Sequence, residues 1–235
     1  MIFRQFRAAD SQLSYLFADP VTRRAAVLDP HLSLEREYLD MIGHLDLKLA
    51  FAIETHAHES HLSAAPLLCE ETGACWLMSR LVAARARARP VDDGECVYIG
   101  EECVAALATP GHSACSMCFR WRDRVFTGHT LLTGRTGDCA RTDADAATLY
   151  HSVARCLYAL PGDTLVFPGL ETASGRASTI QFERRQNADL NAATSPESFV
   201  HGKRRAGGSL KTVVLPTGFG RPGADLYRAG KDGGR

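Results

Sequence analysis

The chain has 235 residues, of which 45% are hydrophobic, 8% aromatic and 23% charged, a profile that fits an ordinary globular chain and excludes collagenous, low-complexity and wholly disordered ones. Lys plus Arg and Asp plus Glu balance at 27 each, so no global field recruits nucleic acid or an anionic membrane surface. No stretch reaches the roughly 18 apolar residues of a membrane span, and the opening MIFRQFRAADSQLSYLF lacks the continuous apolar segment of a secretory signal. The expected compartment is the cytoplasm, where the eight scattered cysteines are expected as reduced thiols.

In chain order, strands are predicted over 2–6, 13–18 and 25–28, followed by a helix over 33–44 with Ser33 as N-cap and Leu34, Tyr38, Met41, Ile42 and Leu45 as its apolar stripe. The run LKLAFAI at 47–53 is nearly all apolar and reads as a strand covered on both faces. After THAHESH comes a helix-compatible stretch over 62–71 that stops near Gly73, then strands over 75–78, 95–99, 102–108 and 118–126, with Arg122-Asp123 as a turn. The arginine-rich run SRLVAARARARP reads as a solvated helix face or loop. A helix over 143–160, a strand over 164–167 and a last helix from about Ser178 complete the body. From His201 onward there are eight Lys or Arg against two Asp, and nine of the 20 glycines. The expected division is therefore a domain over 1–200 and a basic, Gly-rich tail over 201–235, with Lys211–Pro216 as an edge-strand candidate and the tail as a candidate homodimer contact.

Three histidines follow the buried strand as His56-x-His58-x-x-His61. Nine histidines in 235 residues produce that spacing by chance in about one chain in a hundred. Imidazole is the commonest metal ligand near neutral pH because it is then largely uncharged and keeps a lone pair. His112 in ATPGHSA and His129 in RVFTGHTLL also follow apolar strands. Each alone reads as a structural histidine; together with the first cluster they read as one site, held at the ends of several strands.

The segments FRQF, LFADPVTRRAAVLDP, THAHESHLSAA, LATPGHS, RVFTGHTLLTG, DAATLYHSV and TLVFPGLE resemble the metallo-β-lactamase superfamily, and within it the persulfide dioxygenases, with glyoxalase II as a cousin. The resemblance implies an α/β fold, a four-layer αββα sandwich with a metal site on the edge between its two sheets. The family pattern is T-H-x-H-x-D-H, then G-H-T, T-G-D and P-G-H. This chain departs from it at ligand positions, with Ser60 and His129 where the family has Asp and Leu170 where it has His. Ser is a poor ligand, Leu is none, and a neutral imidazole does not bridge two ions as a carboxylate does, which argues against a two-metal hydrolase.

The mononuclear iron site of persulfide dioxygenases, carried over, falls on His56, His112 and His129. With His in place of Asp the ligand set is neutral, so an Fe2+ would keep its full charge and favour an anionic thiolate or persulfide. Three histidines plus water also suit Zn2+. His58 and His61 are then expected to hydrogen-bond bound water or substrate, with Thr55 and Glu59 flanking them. Arg135 and Arg141 are the candidates for pairing with a substrate carboxylate, although TLLTGRTGDCARTDAD shifts them from the family's Gly-Arg-Thr-Asp register. Cys115-x-x-Cys118 reads as structural, its two side chains on opposite faces of a strand, and Cys139 as a thiol near the site.

The expected activity is a mononuclear non-heme iron oxygenase that uses O2 to oxidise the sulfur of a small thiol or persulfide. The rivals are a zinc hydrolase of a thioester or related acyl substrate on His56, His58 and His112, and a non-catalytic descendant of the fold.

Overall fold

The computed structural model describes residues 2–59 and 61–207. One six-stranded sheet runs in the order β1 (Ile2–Arg7), β2 (Leu13–Ala18), β3 (Arg24–Leu28), β4 (Lys48–Ile53), β5 (Cys75–Ser79) and β6 (Arg89–Val91). It begins as an antiparallel meander and continues with parallel pairs from β3 to β6. The helices α1 (Glu35–His44), α2 (Ala65–Thr72) and α3 (Arg80–Ala86) supply the crossovers between the parallel strands. The second sheet contains β7 (Cys96–Ile99), β8 (Glu102–Ala108), β9 (Met117–Trp121), β10 (Arg124–Gly128), β13 (Leu165–Pro168) and β14 (Ser178–Thr179), ordered β14-β13-β10-β9-β8-β7. A short ribbon of β11 (Leu131–Leu132) and β12 (Arg135–Thr136) follows β10. The remaining helices are α4 (Ala146–His151), which continues as a π-helical turn over Ser152–Leu157, α5 (Ile180–Gln186) and α6 (Pro196–Gly207).

Three apolar clusters make four layers. Leu13, Tyr15 and Phe17 alternate along β2 toward the other sheet, where they meet Phe119, Trp121 and Phe126. Leu16 and Ala18 point the opposite way, to Tyr38 and Ile42 of α1 and Leu68 of α2. On the far side, Cys118, Val125 and Val166 of the second sheet meet Leu149, Val153, Leu157 and Ile180. β2 is buried at every position because both its faces are covered. This is the αββα sandwich.

Several local expectations change. Ser33 does not cap α1; Leu32–Leu34 form a 3-10 turn in which His31 Nδ1 accepts from Ser33 N at 3.1 Å. Pro66 at the start of α2 moves that helix three residues later than 62. The turn expected at Arg122-Asp123 is present, with φ +54° at Arg122, and it divides 118–126 into β9 and β10. The arginine run opens as the solvated helix α3 and ends in the edge strand β6, with Arg80 paired to Asp92 and Arg89 to Glu95 at the surface. α6 crosses the boundary expected at residue 201, fastened by buried Phe199 and by Lys203 Nζ, 2.8 Å from Asp189. Lys211–Pro216 lie outside the described residues. Cys96 and Cys103 are joined as a disulfide across the β7–β8 hairpin, against the expectation of thiols throughout, and the other six cysteines are free. Cys115 and Cys118 are buried apart, Cys115 Sγ accepting from Ala57 N and Cys118 Sγ beside Thr109 Oγ1. Among the described residues, no helix is long and apolar enough to cross a membrane.

Candidate metal centre

The site forms where β4, β8 and β10 end. His56 lies just past β4, His112 past β8, and His129 directly after Gly128 of β10. Gly128 is required there: its φ is +49°, and a Cβ would stand 2.4 Å from Thr55 Oγ1, so the two sheets approach backbone to side chain. Gly169 does the same for the ring of His129, whose Cδ2 lies 3.0 Å from where its Cβ would be.

His56, His112 and His129 each offer a ring nitrogen, and the three nitrogens lie within 4.8 Å of one another. Their ring centres are 4.9–5.1 Å apart. An ion about 2.1 Å from each nitrogen lies about 3.3 Å from each ring centre, so separations of 4.9–5.1 Å correspond to angles of roughly 100° at the ion. The residues present therefore fit a single ion held on one face.

The nitrogens facing away from that centre are committed. Thr55 Oγ1 donates to Asp29 Oδ2 at 2.8 Å and so accepts from His56 Nδ1 at 2.9 Å, which leaves the lone pair on Nε2. His112 Nδ1 donates to the carbonyl of Asp138 at 3.0 Å. His129 Nε2 donates to Gln12 Oε1 at 3.2 Å, leaving Nδ1. Burial, reinforced by the neighbouring histidines, drives His56 well below its usual pKa and His129 down to about 3; burial also lowers His112 against the opposing pull of Asp138. All three are neutral near pH 7, as ligands must be.

The other expected residues sit around this centre. His58 is 4.1 Å from His56 between ring centres, but its Nε2 faces Glu54 Oε2 at 2.8 Å and Asp29 Oδ1 at 3.2 Å. Burial alone would lower His58, yet the two carboxylates outweigh it and lift the imidazolium to about 10. His61 stacks on His31 at 4.8 Å and lies tilted against His58 at 4.2 Å between ring centres, and burial pushes it to about 4. The three histidines line a cavity of about 400 Å3, together with Gln12, Glu59, Leu132, Arg141 and Leu170. Arg141 is only 12% exposed and is paired with Glu59, Asp143 and the carbonyl of Ala57. Arg135 lies outside this cavity, in a neighbouring one with Cys139 and Lys203. Cys139 is half-buried, with its Sγ 4.0 Å from the carbonyl of Gly111. Asp29, Glu54 and Gln12 were not singled out from the sequence, although a carboxylate directly after each of the apolar runs AAVL and LAFAI is a readable signal.

The αββα sandwich with three imidazoles that could hold a metal ion at one sheet edge is the architecture of a metal-enzyme family. The model of the metallo-beta-lactamase superfamily matches residues 8–169, and the chain belongs to that family. Within it the chain is 32% identical to human mitochondrial persulfide dioxygenase ETHE1 over 206 residues, 85% of this chain and 79% of the relative. It is 29% identical to BaeB of Bacillus velezensis, described as a probable polyketide biosynthesis zinc-dependent hydrolase, over 68% of this chain and 72% of that one. The crystal structure of ETHE1 from Myxococcus xanthus superposes with a TM-score of 0.85 at 36% identity, covering 90% of this chain and 92% of the other.

Proposed function

We propose that the chain is a mononuclear non-heme iron oxygenase that uses O2 to oxidise the sulfur of a small thiol or persulfide. The observation that carries this reading is the triangle of three neutral imidazoles in the wall of one small cavity, in a chain most like persulfide dioxygenases among the relatives described. His56, His112 and His129 would hold Fe2+, which supplies the redox chemistry that no side chain here provides. Leu170 stands in the cavity wall where a two-ion relative carries a ligand, which supports one ion rather than two.

The protein's own residues bind and orient. The imidazole set adds no charge of its own, so a bound ion would keep its full charge and would favour an anionic sulfur. The cavity of about 400 Å3 suits a small thiol, and Leu132 and Leu170 give it an apolar wall that limits water around the sulfur. Arg141 is the group assigned to the substrate's anionic end, held in place by Glu59 and Asp143. Arg135 would be reached only by a substrate extending beyond Ala140, which borders both cavities. His58 and His61, expected to hydrogen-bond bound water or substrate, are not among the residues lining the cavity and stand behind the three histidines that are.

The zinc hydrolase reading is favoured by one observation, the similarity to BaeB. Oxygen-electrode assays on protein loaded anaerobically with Fe2+ separate the two. Uptake of O2 dependent on a persulfide or thiol is expected; stoichiometric zinc with thioester hydrolysis and no O2 uptake would replace the oxygenase with the hydrolase.

A further inference from the structure

Two buried acids stand behind the histidines without a part in the chemistry above. Asp29 follows β3 and Glu54 follows β4, and these strands are parallel neighbours, so both carboxylates emerge at the same strand ends. They converge on one atom. His58 Nε2 lies 2.8 Å from Glu54 Oε2 and 3.2 Å from Asp29 Oδ1, and the three side chains are 5%, 1% and 2% exposed for His58, Glu54 and Asp29. The grip is itself fixed: Ser63 Oγ donates to the other oxygen of Glu54 and accepts from Ala65 N at the start of α2, while Thr55 N and Oγ1 hold Asp29.

A buried carboxylate without a partner is costly, so a second acid on a nitrogen already served by Asp29 calls for a reason. The geometry gives one. Spaced two residues from His56, His58 brings a fourth imidazole to 4.1 Å from the His56 ring, and its buried Nδ1 has no hydrogen-bond partner. Released from the acids as a neutral ring, it would compete for a coordination position. A fourth nitrogen would complete a closed tetrahedral set of the kind zinc prefers and would fill a position that substrate or O2 needs. As held, however, His58 is 6.4 Å from His129 between ring centres, and it groups with Asp29 and Glu54 rather than with the other three histidines.

We propose that Glu54, acting with Asp29, is a positioning residue that pins His58 outside the coordination sphere and so keeps a three-histidine ion with open positions. The inference rests on His56, His112 and His129 being the ligand set. It makes Glu54 a determinant of which metal the site prefers, through a ring that never touches the ion.

The test reads metal affinity by competition with a chromophoric chelator, and the number of imidazole ligands by X-ray absorption, on the full chain. In the otherwise unaltered protein, His58→Ala is expected to leave Zn2+ affinity within about threefold. Glu54→Leu fills about the same volume without the charge that pairs with His58; it is expected to raise Zn2+ affinity about tenfold or more and to add one imidazole. The double variant carrying His58→Ala as well loses both gains. The proposal is overturned if His58→Ala alone weakens binding about tenfold, which makes His58 a ligand, or if Glu54→Leu changes neither affinity nor imidazole number. Two ions per unaltered chain would also overturn it, by placing a cation among Asp29, Glu54 and His58. Should Glu54→Leu fail to fold by circular dichroism, Glu54→Gln, which keeps the shape and removes the charge, takes its place with the same expected and overturning results. Failure of the underlying ligand reading looks different: the unaltered chain binds no ion, or His112→Ala retains it.

Discussion

His56 has one ring nitrogen left to offer an ion because its other nitrogen is committed to Thr55, and Thr55 accepts from His56 because its own proton goes to Asp29. Partners of this kind fix the tautomer and orientation of a metal-bound imidazole, and their loss typically costs 10–100-fold in affinity or activity, an order-of-magnitude range. Thr55→Val keeps the shape and removes the link. It is expected to lower metal affinity about 10-fold or more, with an unchanged circular dichroism spectrum; equal affinity in a chelator titration would show that the ring is held by packing alone. The histidines themselves are legible in the sequence because their spacing and their place after apolar runs are local features. Gln12 and Asp29 meet their histidines only when separate strand ends come together, whereas Glu54 stands four residues before His58 after the same strand; the acids' place directly after apolar runs is their one local signal. Thr55 flanks the motif in the sequence, and its two side-chain hydrogen bonds tie His56 to Asp29.

At the scale of elements, alternation of apolar residues gives most strands to within a residue or two, and β8 over Glu102–Ala108 to the residue. Where expectation and structure part, a specific contact intervenes. His31 takes the capping role assigned to Ser33, and Pro66 delays α2. Asp145, two residues inside the helix expected from 143, caps α4 by accepting from Thr148 N at 2.7 Å. Composition at 201–235 suggested a tail, yet α6 runs through it to Gly207, because Phe199 is 3% exposed against Tyr150 and Lys203 reaches Asp189. If α6 belongs to the body, Phe199→Ala should cost about 3 kcal/mol, as truncating a buried Phe does. Urea unfolding would measure it, and a change below about 0.5 kcal/mol would return α6 to the tail.

For the whole molecule, the buried histidines couple stability to pH in opposite directions. His56, His112 and His129 are lowered from an ordinary value near 6.5 by burial, His129 to about 3. Below pH 6.5 the unfolded chain therefore binds protons that the fold excludes, and stability falls as the pH drops toward 3. His58 is raised to about 10 by Asp29 and Glu54, so its contribution is complete below pH 6.5 and is lost as the pH rises through 10. The metal-free protein should therefore melt highest near pH 6.5. His129→Asn should flatten the acid limb by on the order of 2 kcal/mol at pH 4.5, and His58→Gln the alkaline limb. Melting curves of the variants parallel to the unaltered protein on both limbs would remove these groups from the account.

The sandwich brings three strand ends to one edge, and the triangle of His56, His112 and His129 at that edge carries the functional reading. The most direct measurement is metal content and X-ray absorption on the chain loaded anaerobically with Fe2+. One ion per chain with three imidazole nitrogens is predicted, and both the third nitrogen and tight binding should be lost in His129→Ala. An ion kept at full stoichiometry with an unchanged imidazole number in His129→Ala would contradict the account.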